Sequence, residues 1–77
     1  MINYALDYIE TCRENIRRLN TEYARMVDRQ KREPNPTRKA QLTRELSLIH
    51  SEIAANQDDI RVTKENDRRR EMLIETA

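Results

Sequence analysis

Few side chains in this sequence are equipped for covalent chemistry. The only histidine is His50 and the only cysteine is Cys12. Nucleophilic catalysis needs a thiol or hydroxyl, a base within reach, and a third group to orient that base. His50 and Cys12 are the one such couple, and the helical register derived below sets them roughly eleven residues apart along the fold. His50 has no second histidine or cysteine near it, so no metal site is expected. A lone cysteine also excludes an internal disulfide and a paired-thiol metal knuckle. The neighbouring carboxylates Asp58 and Asp59 read as solvated helix surface, because general acid–base work needs burial and pKa tuning. The chain has no glycine, which excludes a glycine-rich phosphate cradle. We therefore assign no catalytic residue, metal, cofactor or small-molecule substrate, and expect a chain that is not an enzyme.

The chemistry of binding is better provided. Of fifteen basic residues only Lys31, Lys39 and Lys64 are lysine, and arginine suits planar, bidentate recognition of carboxylate or phosphate. Arg18, Arg25, Arg29 and Arg32 form a stripe on an outer face of the first helix. The stripe reads either as a solvated face partly paired with Glu14, Glu22 and Asp28, or as a contact for phosphate or an acidic partner. Between Arg29 and Arg44 six basic residues, Arg29, Lys31, Arg32, Arg38, Lys39 and Arg44, stand against one acidic residue, Glu33. The net charge is only +1, so no global field points to nucleic acid.

These residues are carried by two long segments separated by Glu33-Pro34-Asn35-Pro36-Thr37, the one strong helix breaker in the chain. Proline lacks an N–H and clashes with the preceding turn, so neither proline belongs inside a helix. Residues before proline leave the α region, which ends the first helix at about Arg32. Asn35 suits an N-cap and Pro36 the first helical position. A connection this short is typical of antiparallel neighbours. The expected elements are helix 1 over about 2–32, a hinge at 33–36 and helix 2 over about 36–75, with more than three quarters of the chain helical.

Both segments carry apolar residues at alternating steps of three and four, which is a heptad seam. In helix 1 the seam is Ile2, Ala5, Ile9, Cys12, Ile16, Leu19, Tyr23 and Met26, turning polar at Gln30. In helix 2 it is Leu42, Leu46, Ile49, Ile53, Asn56, Ile60 and Thr63. Folding at the hinge pairs residues whose numbers sum to about 69, the register in which the two seams match in length. Cys12 then reads as a small buried hydrophobe. Asn56 is a lone polar seam residue, of the kind that fixes register and oligomeric state at some cost in stability. Beyond Thr63 the seam fails, and the same rule carries Arg70 past Met1.

Apolar residues off the seam point to association. Tyr4, Leu6 and Tyr8 make the start of helix 1 apolar nearly all round, which calls for more than one neighbour. Met72, Leu73 and Ile74 do the same for the tail, and the hairpin brings both to one end. Leu48, Ala55 and Val62 form a thinner row at seven-residue spacing, suited to a partner-facing strip. Two helices share only one seam, and chains of this size usually need a further staple. The expected fold is therefore all-α: one domain spanning 1–77, an antiparallel coiled-coil-like hairpin dimerising into a four-helix bundle. The plan resembles that of small plasmid RNA-binding hairpins that dimerise as four-helix bundles. The likeness is architectural and carries over no residue.

Charged residues are 38% and hydrophobic residues 36%, the profile of surface-rich long helices. No apolar run approaches a membrane span, and Met1-Ile2-Asn3-Tyr4 lacks the basic start of a signal peptide. A cytoplasmic protein is expected. The functional expectation is a dimeric adaptor or inhibitor that binds a partner protein. Short helical chains of this kind are common in phages and plasmids, so a host-enzyme inhibitor fits. The alternative is an RNA- or DNA-binding regulatory hairpin that uses the basic hinge end and the arginine stripe.

Overall fold

In a computed structural model the chain is described over residues 4–76, with side chains described through Arg70. Helix α1 spans Tyr4–Arg32, 29 residues, and helix α2 spans Pro36–Thr76, 41 residues. No strand, cis peptide or positive-φ residue occurs among the described residues. The two helices pack against each other along their length. The molecule measures 64 × 18 × 11 Å, two helix diameters wide and one thick. It is a single layer, so every helix has a side that its neighbour in the chain does not cover.

The hinge forms because its polar groups satisfy the backbone that proline frees. The N–H of Glu33 donates to the carbonyl of Gln30 at 3.3 Å, closing α1 with a tighter final turn. The Asn35 side-chain oxygen accepts from the N–H of Thr37 at 3.0 Å and of Arg38 at 3.4 Å. Asn35 is thus the N-cap of α2, and Pro36 fills the first position, where no N–H is wanted. The Asn35 carbonyl accepts the first α2 bond, from the N–H of Lys39 at 2.9 Å. Glu33 adds a brace: its carboxylate accepts from the Asn35 N–H at 3.2 Å and lies 3.9 Å from the Arg38 guanidinium.

The core follows the heptad seams. Ile9, Cys12, Leu19 and Met26 of α1 and Leu42, Leu46 and Ile49 of α2 are buried. Leu19, Met26, Leu42, Leu46 and Ile49 form one cluster, against which Tyr23, Val27 and Ile53 pack. Cys12 is a free thiol, only 2% exposed. The cross-helix hydrogen bonds set the register: Tyr8 with Asp59, Asn15 with Asn56, and Gln30 with Thr43. The residue numbers of these pairs add to values between 67 and 73, around the sum expected from the seams.

Packing loosens away from the hinge. On α2 the seam grades from buried at Leu42, Leu46 and Ile49 to half-buried at Ile53, Asn56, Ile60, Thr63 and Asp67. Asn56 accepts a bond from the Asn15 amide at 3.3 Å and donates to the Glu52 carbonyl at 2.8 Å. This polar layer separates the hinge-side cluster from Ile9 and Cys12. The Arg70 side chain lines a hollow with Tyr4, Ala5 and Tyr8. Helical side chains lean toward their own N-terminus, so Arg70 leans back along α2 toward Tyr4.

Candidate interaction surface

The single-layer hairpin has two broad sides, and the cross-helix contacts identify them. One side is marked by the Tyr8 hydroxyl donating to Asp59 at 3.0 Å. Seven-residue steps from Asp59 reach Glu52 and Glu45, and three residues beyond each of these stand Val62, Ala55 and Leu48. On α1 the same side carries Tyr4 and, at multiples of seven from it, Arg18, Arg25 and Arg32; Arg29 follows from Tyr8 in the same way. Heptad spacing keeps each such row on one side of a packed pair. The apolar row of α2 and the arginine stripe of α1, separate features in the sequence, therefore share one face. We call it the arginine face.

This face holds four of the five large hydrophobic side chains that are exposed among the described residues. Tyr4 is 77% exposed, Leu48 65%, Tyr8 46% and Val62 38%. Ala55 is exposed between the last three. Leu6, the fifth, is exposed on the opposite side, beside Lys64 and Arg68. The apolar start of α1 is thus divided between two faces. The side chains of Met72, Leu73 and Ile74 lie outside the described residues.

The charges of the arginine face are largely sorted by helix. Arg18, Arg25, Arg29 and Arg32 are on α1, interrupted by Glu22, two heptads on from Tyr8, while Glu45, Glu52 and Asp59 are on α2, with Arg38 one heptad before Glu45 at the hinge end. Among the described residues no ion pair joins α1 to α2; the five ion pairs lie within a helix or at the hinge. Glu14 pairs with Arg17 at 2.8 Å rather than with the stripe, and Asp28 pairs with Arg32 at 3.2 Å. Arg18 donates to the Asn15 side-chain oxygen at 3.4 Å. Arg25, Arg29, Glu22, Glu45 and Glu52 make no ion pair among the described residues. The Asp59 carboxylate, as hydrogen-bond acceptor and as a nearby negative charge, raises the Tyr8 phenol above its ordinary value. Of the acidic row of α2, only Asp59 figures in the reading of the sequence, and there as solvated helix surface. The row's seven-residue spacing in step with Leu48, Ala55 and Val62 was the available signal.

The opposite side, the histidine face, is quieter. One shallow hollow there is lined by Asn20, Tyr23, His50, Ile53, Ala54 and Gln57, and it adjoins another that reaches Gln30, Thr43 and Ser47. Neither lining includes an acidic or basic side chain other than His50. Among the described residues no three His, Cys, Asp or Glu side chains converge as a metal site would require.

The hinge end is basic and only partly paired. Arg32 meets Asp28, and Arg38 meets Glu33. Arg29, Lys31, Lys39 and Arg44 are exposed and make no ion pair among the described residues. Arg29, Lys31 and Arg32 occupy the last turn of α1, where cations complement the helix dipole. Arg38 and Lys39 open α2, whose first turn has no acidic residue; cations there oppose the dipole. Compared with known proteins, the chain matches no protein family, no curated protein and no solved structure.

Proposed function

We propose that this chain is a small non-enzymatic protein-interaction module, a dimeric helical hairpin that serves as an adaptor or inhibitor of a partner protein. The observation that carries this reading is the arginine face. Tyr4, Tyr8, Leu48 and Val62 stand exposed there beside rows of opposite charge. Exposed apolar side chains rimmed by charge are what association surfaces have in common. Neither described helix is long and apolar enough to cross a membrane, which favours partners met in water.

The test is a Leu48→Glu, Val62→Glu double variant, compared with wild type by light scattering and circular dichroism. Association through this surface predicts a fall to single-chain mass at a concentration where wild type is a dimer. Unchanged mass with unchanged helicity rejects the surface.

A second reading, nucleic-acid binding, is favoured by the hinge end. Lys39 and Arg38 at the start of α2 oppose its dipole, a cost that a bound phosphate would remove. Titrating salt against binding to mixed-sequence duplex and single-stranded oligonucleotides decides it. Phosphate binding weakens steeply and linearly on a log–log plot, whereas no binding at low salt rejects it.

A further inference from the structure

We infer that a second copy of this chain covers the arginine face, related to the first by a two-fold axis along the hairpin's length. Helix α1 of each copy then lies over α2 of the other, and both hinges point the same way. The inference rests on the interaction-module reading and specifies one partner and one geometry for it.

The charges select that axis. Cross-helix pairs add to about 70 in residue number, so Arg25 stands level with Glu45, and Arg18 with Glu52. A two-fold contact presents the same patch from both sides, so the patch must complement itself. Rotation about the long axis keeps every level and exchanges the helices. Arg25 of one copy then meets Glu45 of the other, Arg18 meets Glu52, and each pairing occurs twice. Rotation about an axis across the hairpin would instead lay α1 on α1 and α2 on α2, arginine over arginine and glutamate over glutamate. Charged residues flanking a helical seam set partner choice and orientation in this way. These charges are available, because Arg25, Glu45 and Glu52 make no ion pair among the described residues.

Apolar contacts supply the affinity, since exposed ion pairs contribute little by themselves. At the same level as Val62 lies Tyr8, so the Tyr8 ring of one copy covers Val62 of the other. Leu48, the most exposed aliphatic side chain after the aromatic Tyr4, falls in the middle of the patch. The arrangement has two costs: Arg32 and Arg38 of the two copies come together at the hinge, and Glu22, level with Leu48, comes near Glu45 and Glu52 of the other copy. Asp28 and Glu33, the in-chain partners of Arg32 and Arg38, offset the first; Arg18 and Arg25, one turn to either side of Glu22 on α1, offset the second.

Two charge-reversed chains test the geometry, Arg18→Glu, Arg25→Glu and Glu45→Arg, Glu52→Arg, each followed by sedimentation and circular dichroism. Alone, each should dissociate, with its dimer dissociation constant raised at least about 100-fold by like-charge contacts. Mixed in equal amounts, they should recover two-chain mass, and helicity with it if the separated chains unfold. A Ser47→Glu, Ala54→Glu chain, altered on the histidine face, should keep wild-type mass. Spin labels at Thr37→Cys in a Cys12→Ala background should lie within about 25 Å of each other, since packed helices are separated by 8–10 Å. Labels about 40 Å or more apart, roughly the length of α1, overturn the geometry. So does a wild-type dimer whose mass ignores the arginine and glutamate reversals but falls with the Ser47, Ala54 change. In both of those cases self-association survives and only this face or axis is lost. A wild-type chain that stays single at every concentration overturns the inference together with the dimer it rests on.

Discussion

Asn35 shows how one side chain decides the hairpin. Its oxygen caps two N–H groups of α2 at the point where Pro36 can offer none. Replacing a capping Asn by Ala costs about 1 kcal/mol. An Asn35→Ala chain should melt several degrees lower, with its helical content at low temperature unchanged. Tyr8 makes a second prediction. Its folded-state pKa is raised by Asp59 above the ordinary value of 10.0. The folded state therefore holds the phenolic proton more tightly than the unfolded state. The contribution is fully present below pH 10, and it is lost as pH rises through the raised folded value. Denaturant titrations at stepwise alkaline pH should show wild type losing stability faster than Tyr8→Phe. Parallel curves would mean that the bond to Asp59 is absent in solution.

At the scale of the helix, the seam explains both the pairing and its unevenness. Leu46 sits inside the hinge-side cluster, and truncating such a leucine typically removes about 2–5 kcal/mol. Ile60, half-buried near the open end, should cost less when cut to Ala. Equal losses at the two sites, measured by denaturant unfolding, would contradict a core concentrated at the hinge. The polar layer gives a sharper test. As a lone polar residue on the seam, Asn56 predicts that Asn56→Leu stabilises the fold and loosens its oligomeric state. The structure adds the partner, Asn15, whose amide donates to Asn56. Removing one member leaves the other half-buried and short of a bond, whereas replacing both by apolar groups avoids that penalty. Asn15→Leu, Asn56→Leu should therefore melt above Asn56→Leu. The reverse order would show that the pair contributes net stability.

The hinge and the two seams were legible because they are local or strictly periodic signals. Proline geometry acts within a few residues, and alternation of three and four survives a pass along the chain. Asn15 was not legible: it lies one residue off the seam, and polar residues at such positions are common. The shared face of Leu48, Val62 and the arginines was also hidden. Seeing it requires knowing which side of the seam each row takes after the chain reverses, and bonds such as Tyr8 to Asp59 supply that. The hinge cations were visible as a cluster, but their division by helix dipole needed the observed helix ends.

For the whole molecule, one fact governs the account. A hairpin 11 Å thick buries one seam and leaves both broad sides to solvent or to a partner. On one of them, exposed apolar side chains accompany an arginine row on α1 and an acidic row on α2. Such a surface can complement a second copy of itself, and among the described residues Arg25, Glu45 and Glu52 make no ion pair. Sedimentation equilibrium of the unaltered chain, from about 1 to 100 micromolar at low and high salt, measures the consequence directly. Patches of this size, with apolar gains of several kcal/mol, associate within that range. We predict two-chain mass at the upper concentrations, weakening as salt screens the arginine–glutamate contacts. Single-chain mass throughout, with full helicity, would contradict the account.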